Sequence, residues 1–197
     1  IIIKPTWEEL PEHKEGDLVI EIDPGIAFGT GAHETTKLCI LGLRKYITSD
    51  TQLLDVGCGS GILSIIGLKL GAKHALGTDI DEHALEATKE NIVVNHIAGE
   101  QFDLLAGNII SEEEIQQKVG MKKYDVVVAN ILADIIIPLS GEIMQHMKED
   151  GVFISSGILN TKADEVQDAL LKNGFKIIEK NEMGDWVSFV ATPETNK

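Results

Sequence analysis

Three glycines at alternate positions follow an apolar run in the first third of the chain. The run 53–56 ends at Gly57, Gly59 and Gly61, and a helical pattern of apolar residues begins directly after them. Glycine is required where the backbone needs a positive φ, or where a ligand comes too close for a Cβ atom. The start of a helix presents free N–H groups, so this turn predicts a binding site for a polar ligand. Asp55, inside the run, is expected to order the backbone of the turn.

An aspartate, Asp79, lies 22 residues after the first glycine, at the end of the next apolar run. Its carboxylate can accept charge-assisted hydrogen bonds from two ribose hydroxyls. The alternative is a helix cap, a role that suits Asp81 better. The third glycine comes one residue earlier than in the dinucleotide fingerprint, where Ile62 takes its place. This arrangement resembles an S-adenosylmethionine (SAM) site, and an NAD-dependent oxidoreductase is the nearest rival enzyme class.

A third polar position, Asn130, ends the apolar run 124–129 and is followed by Ile-Leu-Ala at 131–133. Many amino- and amide-nitrogen methyltransferases resemble this segment but have two prolines and an aromatic residue after the Asn or Asp. An aromatic ring would stack on a planar acceptor, so the alanine here disfavours nucleobases and glutamine amides. The Asn130 amide oxygen could accept a hydrogen bond from an amine. The alternative is a cap for a helix over 133–148.

A glycine-containing loop over 24–36 leads into the first long helix. Phe28 offers an apolar cover, and Thr35 and Thr36 offer hydroxyl groups at the start of that helix. Of the six histidines, only His33 lies in such a context. The loop is suited to act as a lid over a cofactor, although a capped loop without a ligand has a similar composition.

These residues need a scaffold of alternating strands and helices. The predicted strands are 52–56, 74–79, 101–105, 124–129 and 151–156. The predicted helices are 36–46, 61–70, 82–95, 133–148 and 161–173. Near-continuous apolar strands of this kind predict a mostly parallel sheet that is covered on both faces.

The chain ends differently, with two β-rich runs at 175–182 and 186–192 that predict an antiparallel hairpin. The predicted fold class is therefore α/β: a doubly wound, mostly parallel, Rossmann-like sheet of seven strands with a C-terminal antiparallel hairpin. That architecture is similar to the class I SAM-dependent methyltransferases. The polar segment 108–123 predicts a surface loop or a short helix and has no assigned role.

The composition of the chain limits which binding partners and which cellular location are expected. The net charge is −15, from 17 basic and 32 acidic residues, and no basic face for nucleic acid is evident. An acidic surface would steer a basic protein, although it can also serve solubility alone. No apolar run approaches the ~20 residues of a membrane span. Cys39 and Cys58 lie far apart without metal-like spacing, which predicts no metal site and a reducing, cytoplasmic compartment.

Three strings together carry a specific resemblance. They are Asp-Pro-Gly-x-Ala-Phe-Gly-Thr-Gly-x-His-x-Thr-Thr from residue 23, Asp-Val-Gly-Cys-Gly-Ser-Gly-Ile-Leu from residue 55 and Val-Val-Ala-Asn-Ile-Leu from residue 127. Their combination is similar to the bacterial ribosomal protein L11 methyltransferase family (PrmA), and the resemblance covers nearly the whole chain. It implies SAM-dependent methylation of lysine ε-amines and of the N-terminal α-amine of one large-subunit ribosomal protein, hence a basic protein partner.

The resemblance also implies the site residues. SAM contacts are expected from Thr36, Gly57, Asp79 and Asn130. The residues expected to line the pocket are Gly59, Gly61, Phe28 and Thr30. Asn130 and the carbonyl group after it would align the amine, and water would take its proton. Glu34 stands where many relatives have proline.

The resemblance and the beginning of the chain at Ile1 together predict the domain organisation. Residues 1–50 are expected to form an N-terminal arm, the lidding loop and a first helix packed on the core. Residues 51–197 are expected to form the methyltransferase core, with a substrate-recognition domain missing before Ile1. The alternatives are a methyltransferase of another small-molecule or RNA acceptor, and a fragment that binds SAM without activity.

Overall fold

A computed structural model of the protein describes residues 1–10, 12–23 and 31–194. The strands in these ranges are β1 (Ile2–Lys4), β2 (Val19–Glu21), β3 (Gln52–Val56), β4 (His74–Asp79), β5 (Phe102–Ala106), β6 (Tyr124–Asn130), β7 (Met147–Leu159), β8 (Phe175–Met183) and β9 (Trp186–Pro193). The helices are α1 (Glu34–Tyr46), α2 (Ile62–Lys69), α3 (Glu82–Val94), α4 (Glu113–Val119), α5 (Ala133–Glu142) and α6 (Ala163–Lys172). In the described ranges no helix is long and apolar enough to cross a membrane.

Seven of these strands form the main sheet in the order β5-β4-β3-β6-β7-β9-β8. The strands from β5 to β7 are parallel, and β9 runs antiparallel to both β7 and β8. This topology confirms the predicted doubly wound fold with its C-terminal hairpin. The chain leaves β3 toward β4 on one side and returns through β6 on the other. Ligands of such sheets bind at the carboxyl ends of the strands where this switch occurs.

Both faces of the sheet are buried, which explains the continuous apolar strands. Alternate side chains of a strand point to opposite faces, so Leu53 and Leu54 of β3 lie in different cores. The Leu54 core includes Phe153 and residues of α4, α5 and α6. The Leu53 core includes Ile65 and residues of α1, α2 and α3.

Two elements differ from the predictions by more than two residues at an end. The helix predicted over 133–148 ends at Glu142 and continues as a 3₁₀ turn over Ile143–His146. The His146 carbonyl accepts a hydrogen bond from the Lys123 N–H at 2.9 Å, which ties this turn to the start of β6. Strand β7 then extends well beyond the predicted 151–156 at both ends.

The polar segment 108–123 was expected to be a surface loop or a short helix. The structure shows a short helix, α4. It is not merely a surface element, because Ile115 and Val119 are buried in the core that also contains Leu54. The helix therefore covers part of one face of the sheet.

A small parallel sheet of β1 and β2 is attached to α3 through two buried asparagines. Asn95 accepts a hydrogen bond from the Glu21 N–H at 3.0 Å and donates one to the Glu21 carbonyl. Asn91 accepts one from the Asp23 N–H at 3.1 Å and donates another to the Ser60 carbonyl at 2.9 Å. Because Ser60 belongs to the glycine turn, Asn91 links the N-terminal segment to the predicted site.

Candidate active site

A cavity of about 600 Å³ opens at the carboxyl ends of β3, β4 and β6, at the switch point of the sheet. Four of the residues expected to contact SAM or to line its pocket are in the cavity wall: Gly57, Gly59, Asp79 and Asn130. They are far apart along the chain, and the parallel strands bring them to one edge.

The glycine turn adopts a backbone that side chains would obstruct. Gly57 has φ of 70°, and a Cβ atom there would lie 2.6 Å from Cγ2 of Ile131. Gly61 has φ of 79°, and a Cβ atom there would lie 2.9 Å from Cγ2 of Thr88 on α3. Gly61 begins α2 and packs against α3, so its place is behind the turn rather than in the cavity wall.

Asp55 lies beneath this turn and holds the start of α2. Its carboxylate accepts hydrogen bonds from the N–H of Ser64 at 3.0 Å and from the Ser64 hydroxyl at 2.7 Å. The expectation that Asp55 orders the turn thus takes a specific form, a tie between β3 and α2. Burial raises the pKa of the Asp55 carboxyl to about 7, the charge of Asp79 adds to the rise, and the Ser64 bonds oppose it.

Asp79 connects the end of β4 to the glycine turn. One carboxylate oxygen accepts a hydrogen bond from the Gly59 N–H at 2.9 Å, and the other accepts one from the Asp81 N–H at 3.0 Å. Asp81 is the cap of α3, since its side chain accepts from the His83 N–H at 2.9 Å. Asp79 is therefore not the helix cap, and its carboxylate, which lines the cavity, keeps lone pairs for further donors.

Asn130 ends β6 with its amide group between α1 and the cavity. The amide nitrogen donates to the Thr36 hydroxyl at 3.2 Å. The amide oxygen is buried, and no described residue donates a hydrogen bond to it. The cap of α5 is Leu132, so the alternative interpretation of Asn130 as the cap of that helix is wrong. An unpaired buried acceptor is costly, and because Asn130 is a lining residue of the cavity, a ligand there is the candidate donor.

The first turn of α1 supports Asn130 from behind. Thr36 is fully buried and contributes no surface to the cavity, so this geometry gives it a positioning role and does not support direct contact with SAM. Thr35 does line the cavity, and its hydroxyl group lies 2.9 Å from Nδ1 of His33. Phe28 and Thr30, which were expected to line the pocket, lie outside the described residues.

Several wall residues are not among those expected to bind SAM, although the sequence analysis places His33 in the loop before the first helix. The rings of His33 and Trp186 form one side of the cavity, with centroids 5.0 Å apart in an edge-to-face arrangement. The segment 107–110 forms another side. This segment follows the carboxyl end of β5, so the rule that ligands bind at strand ends could have identified it. Trp186 is brought in by pairing between distant strands, which local sequence does not show.

No metal centre is evident in this part of the molecule. Among the residues of the described ranges, no group of three or more His, Cys, Asp or Glu side chains could hold a metal ion.

Comparison with known proteins decides the family. The family model described as ribosomal protein L11 methyltransferase (PrmA) matches residues 1–194. The chain belongs to this family. A protein of Lachnoclostridium phytofermentans named ribosomal protein L11 methyltransferase is 56% identical over 204 residues. That match covers 97% of this chain and 61% of the relative, so the chain spans about three fifths of the length of that curated family member.

Solved structures agree with the family assignment. The crystal structure of a ribosomal protein L11 methylase from Lactobacillus delbrueckii subsp. bulgaricus has a TM-score of 0.86 and 34% identity. The match covers 97% of this chain and 93% of that chain. A TehB-like SAM-dependent methyltransferase from Corynebacterium glutamicum has a TM-score of 0.60 at 16% identity, which shows the shared class I fold alone.

Proposed function

We propose that this chain is the SAM-binding and amine-methylating part of a ribosomal protein methyltransferase of the PrmA family. Its acceptors are lysine ε-amines and the N-terminal α-amine of ribosomal protein L11, the protein named in its relatives. The observation that carries the proposal is the unpaired amide oxygen of Asn130, in the same cavity as the glycine turn and Asp79. This combination suits a nucleoside at one end and an amine at the other.

The groups that line the cavity are of the chemical types that the parts of SAM require. The Asp79 carboxylate supplies acceptors for ribose hydroxyls, and the turn at Gly57 and Gly59 allows a close approach to backbone. The Asp79 carboxylate gives this region an acidic character, which favours a positively charged sulfur. An apolar side chain, Ile80, lies next to Asp79 and offers a surface for a flat base.

The residues of the cavity must also bind and orient the amine that accepts the methyl group. When bound, SAM supplies a methyl group on a positively charged sulfur, which leaves as a neutral thioether once the amine has taken the methyl. A lysine amine has an unperturbed pKa of about 10.4, so it must lose a proton before it can act as a nucleophile. Asn130 and the Ile131 carbonyl accept from the amine and orient it. Water is the proposed proton acceptor, and the described hydrogen-bond partner of Asn130, a threonine hydroxyl, is no base at neutral pH.

The choice of substrate involves more than this cavity. The net charge of −15 favours a basic partner such as a ribosomal protein and gives no support to direct nucleic-acid binding. The curated relative is longer than the matched region, and we propose that the additional sequence selects the substrate. Residues 51–197 then form the catalytic core, and residues 1–50 complete its cavity. The cytoplasm, where ribosomal proteins are made, is the proposed location.

Calorimetry with SAM and, separately, with NAD tests the cofactor. We expect SAM to bind to the wild-type chain and NAD not to bind. Asp79→Ala removes the ribose acceptor and should weaken SAM binding at least about tenfold. Asp164→Ala, an exposed aspartate of α6, is the matched control and should bind SAM normally. Binding of NAD instead of SAM would refute the cofactor assignment.

Mass spectrometry of unmethylated ribosomal protein L11 incubated with the chain and SAM tests the acceptor. The proposed reaction adds methyl groups to lysines and to the N-terminus, and Asn130→Ala should slow it while SAM binding persists. SAM binding without any methylation would indicate that this chain binds the cofactor but needs further sequence for its substrate. Methylation of RNA instead would refute the acceptor class.

A further inference from the structure

Ile131, the residue after Asn130, lies between two glycines. One follows β3 and the other belongs to β7, the two strands that flank β6. A Cβ atom on Gly57, after β3, would lie 2.6 Å from the Ile131 side chain. A Cβ atom on Gly157, in β7, would lie 2.4 Å from the Ile131 carbonyl oxygen and 3.0 Å from its nitrogen. The second approach is to backbone, which cannot rotate away as a side chain can. Gly157 therefore limits where the Ile131 peptide group can lie.

Gly157 lies in an irregular part of β7. The register with β9 shifts between Ser155 and Ile158, and Gly157 has φ of 87°, which favours glycine. The neighbouring Ser156 fixes this bulge in two directions. Its hydroxyl donates to the Thr35 carbonyl at 3.0 Å, and its carbonyl accepts from the Ile131 N–H at 3.1 Å.

The Ile131 carbonyl oxygen is a free acceptor in the described part of the chain. Helix α5 starts its hydrogen bonding one residue later, since the N–H groups of Ile135 and Ile136 both donate to the Leu132 carbonyl. No described N–H or O–H group donates to the Ile131 oxygen. Two unpaired acceptors, this oxygen and the Asn130 amide oxygen, therefore belong to adjacent residues in the wall of the cavity.

We propose that Gly157 is a positioning residue for methyl transfer, because it sets the direction of the Ile131 carbonyl. A neutral primary amine has two N–H groups and one lone pair in a tetrahedral arrangement. Two fixed acceptors, Asn130 Oδ1 and Ile131 O, occupy both N–H groups, and the lone pair is then left in a single direction. This inference rests on the proposed function, since it assumes an amine acceptor in this cavity.

The test compares two ligands that differ at the reacting position. Sinefungin carries an amine where SAM carries its methyl, whereas S-adenosylhomocysteine has nothing there. We expect the wild-type chain to bind sinefungin more tightly, because that amine reaches the two acceptors. Gly157→Ala displaces the Ile131 carbonyl and should weaken sinefungin about tenfold, as for a lost charge-assisted hydrogen bond. S-Adenosylhomocysteine should bind within about twofold of the wild type.

Gly174→Ala is the matched control. Gly174 has φ of 84°, but a Cβ atom there would meet only the flexible Met144 side chain, at 3.6 Å. This variant carries the same backbone strain without a clash near the site, and it should keep the wild-type preference for sinefungin. Equal preference in Gly157→Ala and Gly174→Ala would overturn the proposal.

A milder variant keeps the test decisive if Gly157→Ala fails to fold. Ser156→Ala removes the bond to the Thr35 carbonyl and loosens the bulge without a clash. It should lower the preference for sinefungin about threefold, and an unchanged preference would overturn the proposal. A wild-type chain that binds neither ligand would instead count against the proposed function, so the two failures are distinguishable.

Discussion

The raised pKa of the Asp55 carboxyl should make the free energy of unfolding depend on pH. Burial raises the pKa of this carboxyl to about 7 in the folded state, from an ordinary value of 3.8. Between these values the folded chain holds a proton that the unfolded chain has lost. Raising the pH from about 4 to about 7 therefore favours unfolding, by on the order of 1 kcal/mol per pH unit, and the effect levels off above pH 7.

We expect Asp55→Asn to remove this contribution, because an amide oxygen can still accept from Ser64 but does not titrate. Urea unfolding of the wild type and the variant at several pH values measures the difference. The stability of the variant relative to the wild type should rise from pH 4 to pH 7 and then stay constant. Two parallel curves over this range would contradict the prediction.

Thr36 is expected to act on the reaction without touching the cofactor. Thr36→Val keeps the shape of the side chain but removes the acceptor for the Asn130 amide nitrogen. The amide group is then less well oriented, so kcat for methyl transfer should fall about tenfold while the Kd for SAM changes less than about twofold. Steady-state kinetics and calorimetry measure the two quantities.

A control for this variant is available at the far end of β9. Thr192→Val also removes one hydroxyl hydrogen bond, here to the Gly151 carbonyl at 3.0 Å. It should change stability but not kcat. A loss of SAM affinity in Thr36→Val as large as its loss of kcat would show that Thr36 serves the cofactor instead.

Local spacing predicts part of this site and misses the rest for a physical reason. The glycine turn, Asp79 and Asn130 are identifiable because each follows an apolar strand directly. Gly157 and Trp186 have no such local signal. Gly157 matters because its bulge faces the Ile131 backbone, and Trp186 reaches the cavity through the pairing of β9 with β7.

At the scale of elements, the sheet is more predictable than its connections. Apolar runs locate every strand of the parallel part because both faces of the inner strands are buried, while β5 at the edge is only partly buried. The ends of α5 and β7 are missed: α5 ends at Glu142, and the 3₁₀ turn after it is tied to the start of β6 by the hydrogen bond from the Lys123 N–H to the His146 carbonyl. The buried face of α4 is also missed because acidic and amide residues hide two apolar positions a turn apart, Ile115 and Val119.

The attachment of the β1–β2 sheet to α3 yields a prediction at this scale. Asn95→Ala removes both hydrogen bonds to the Glu21 backbone and leaves its polar groups without these partners. We expect a loss of about 1–3 kcal/mol in stability. We also expect faster hydrogen exchange in β1 and β2, with little change in β3 and β6.

Glu90→Ala, an exposed substitution on the same helix, serves as the control and should leave exchange in β1 and β2 unchanged. Uniformly faster exchange across the main sheet in Asn95→Ala would mean that the two sheets unfold as one unit. That result would contradict a local anchoring role for Asn95.

For the whole molecule, the net charge of −15 bears on how the proposed basic substrate would be captured. Attraction between exposed charges is screened beyond about 10 Å at 0.1 M salt. We therefore expect KM for the ribosomal protein to rise severalfold between about 0.05 and 0.3 M salt, because steering weakens. KM for SAM should change much less, since its contacts lie inside the cavity. A parallel rise of both values would contradict the electrostatic explanation.

The strand order also has a consequence for how the chain folds while it is being synthesised. The last strand in the described residues, β9, does not lie at the edge of the sheet but between β7 and β8, and it brings Trp186 to the cavity. A nascent chain that stops short of β9 leaves the edge of β7 open and one side of the cavity unbuilt. We therefore expect the cavity wall to be complete only after β9 has been synthesised and has paired with β7.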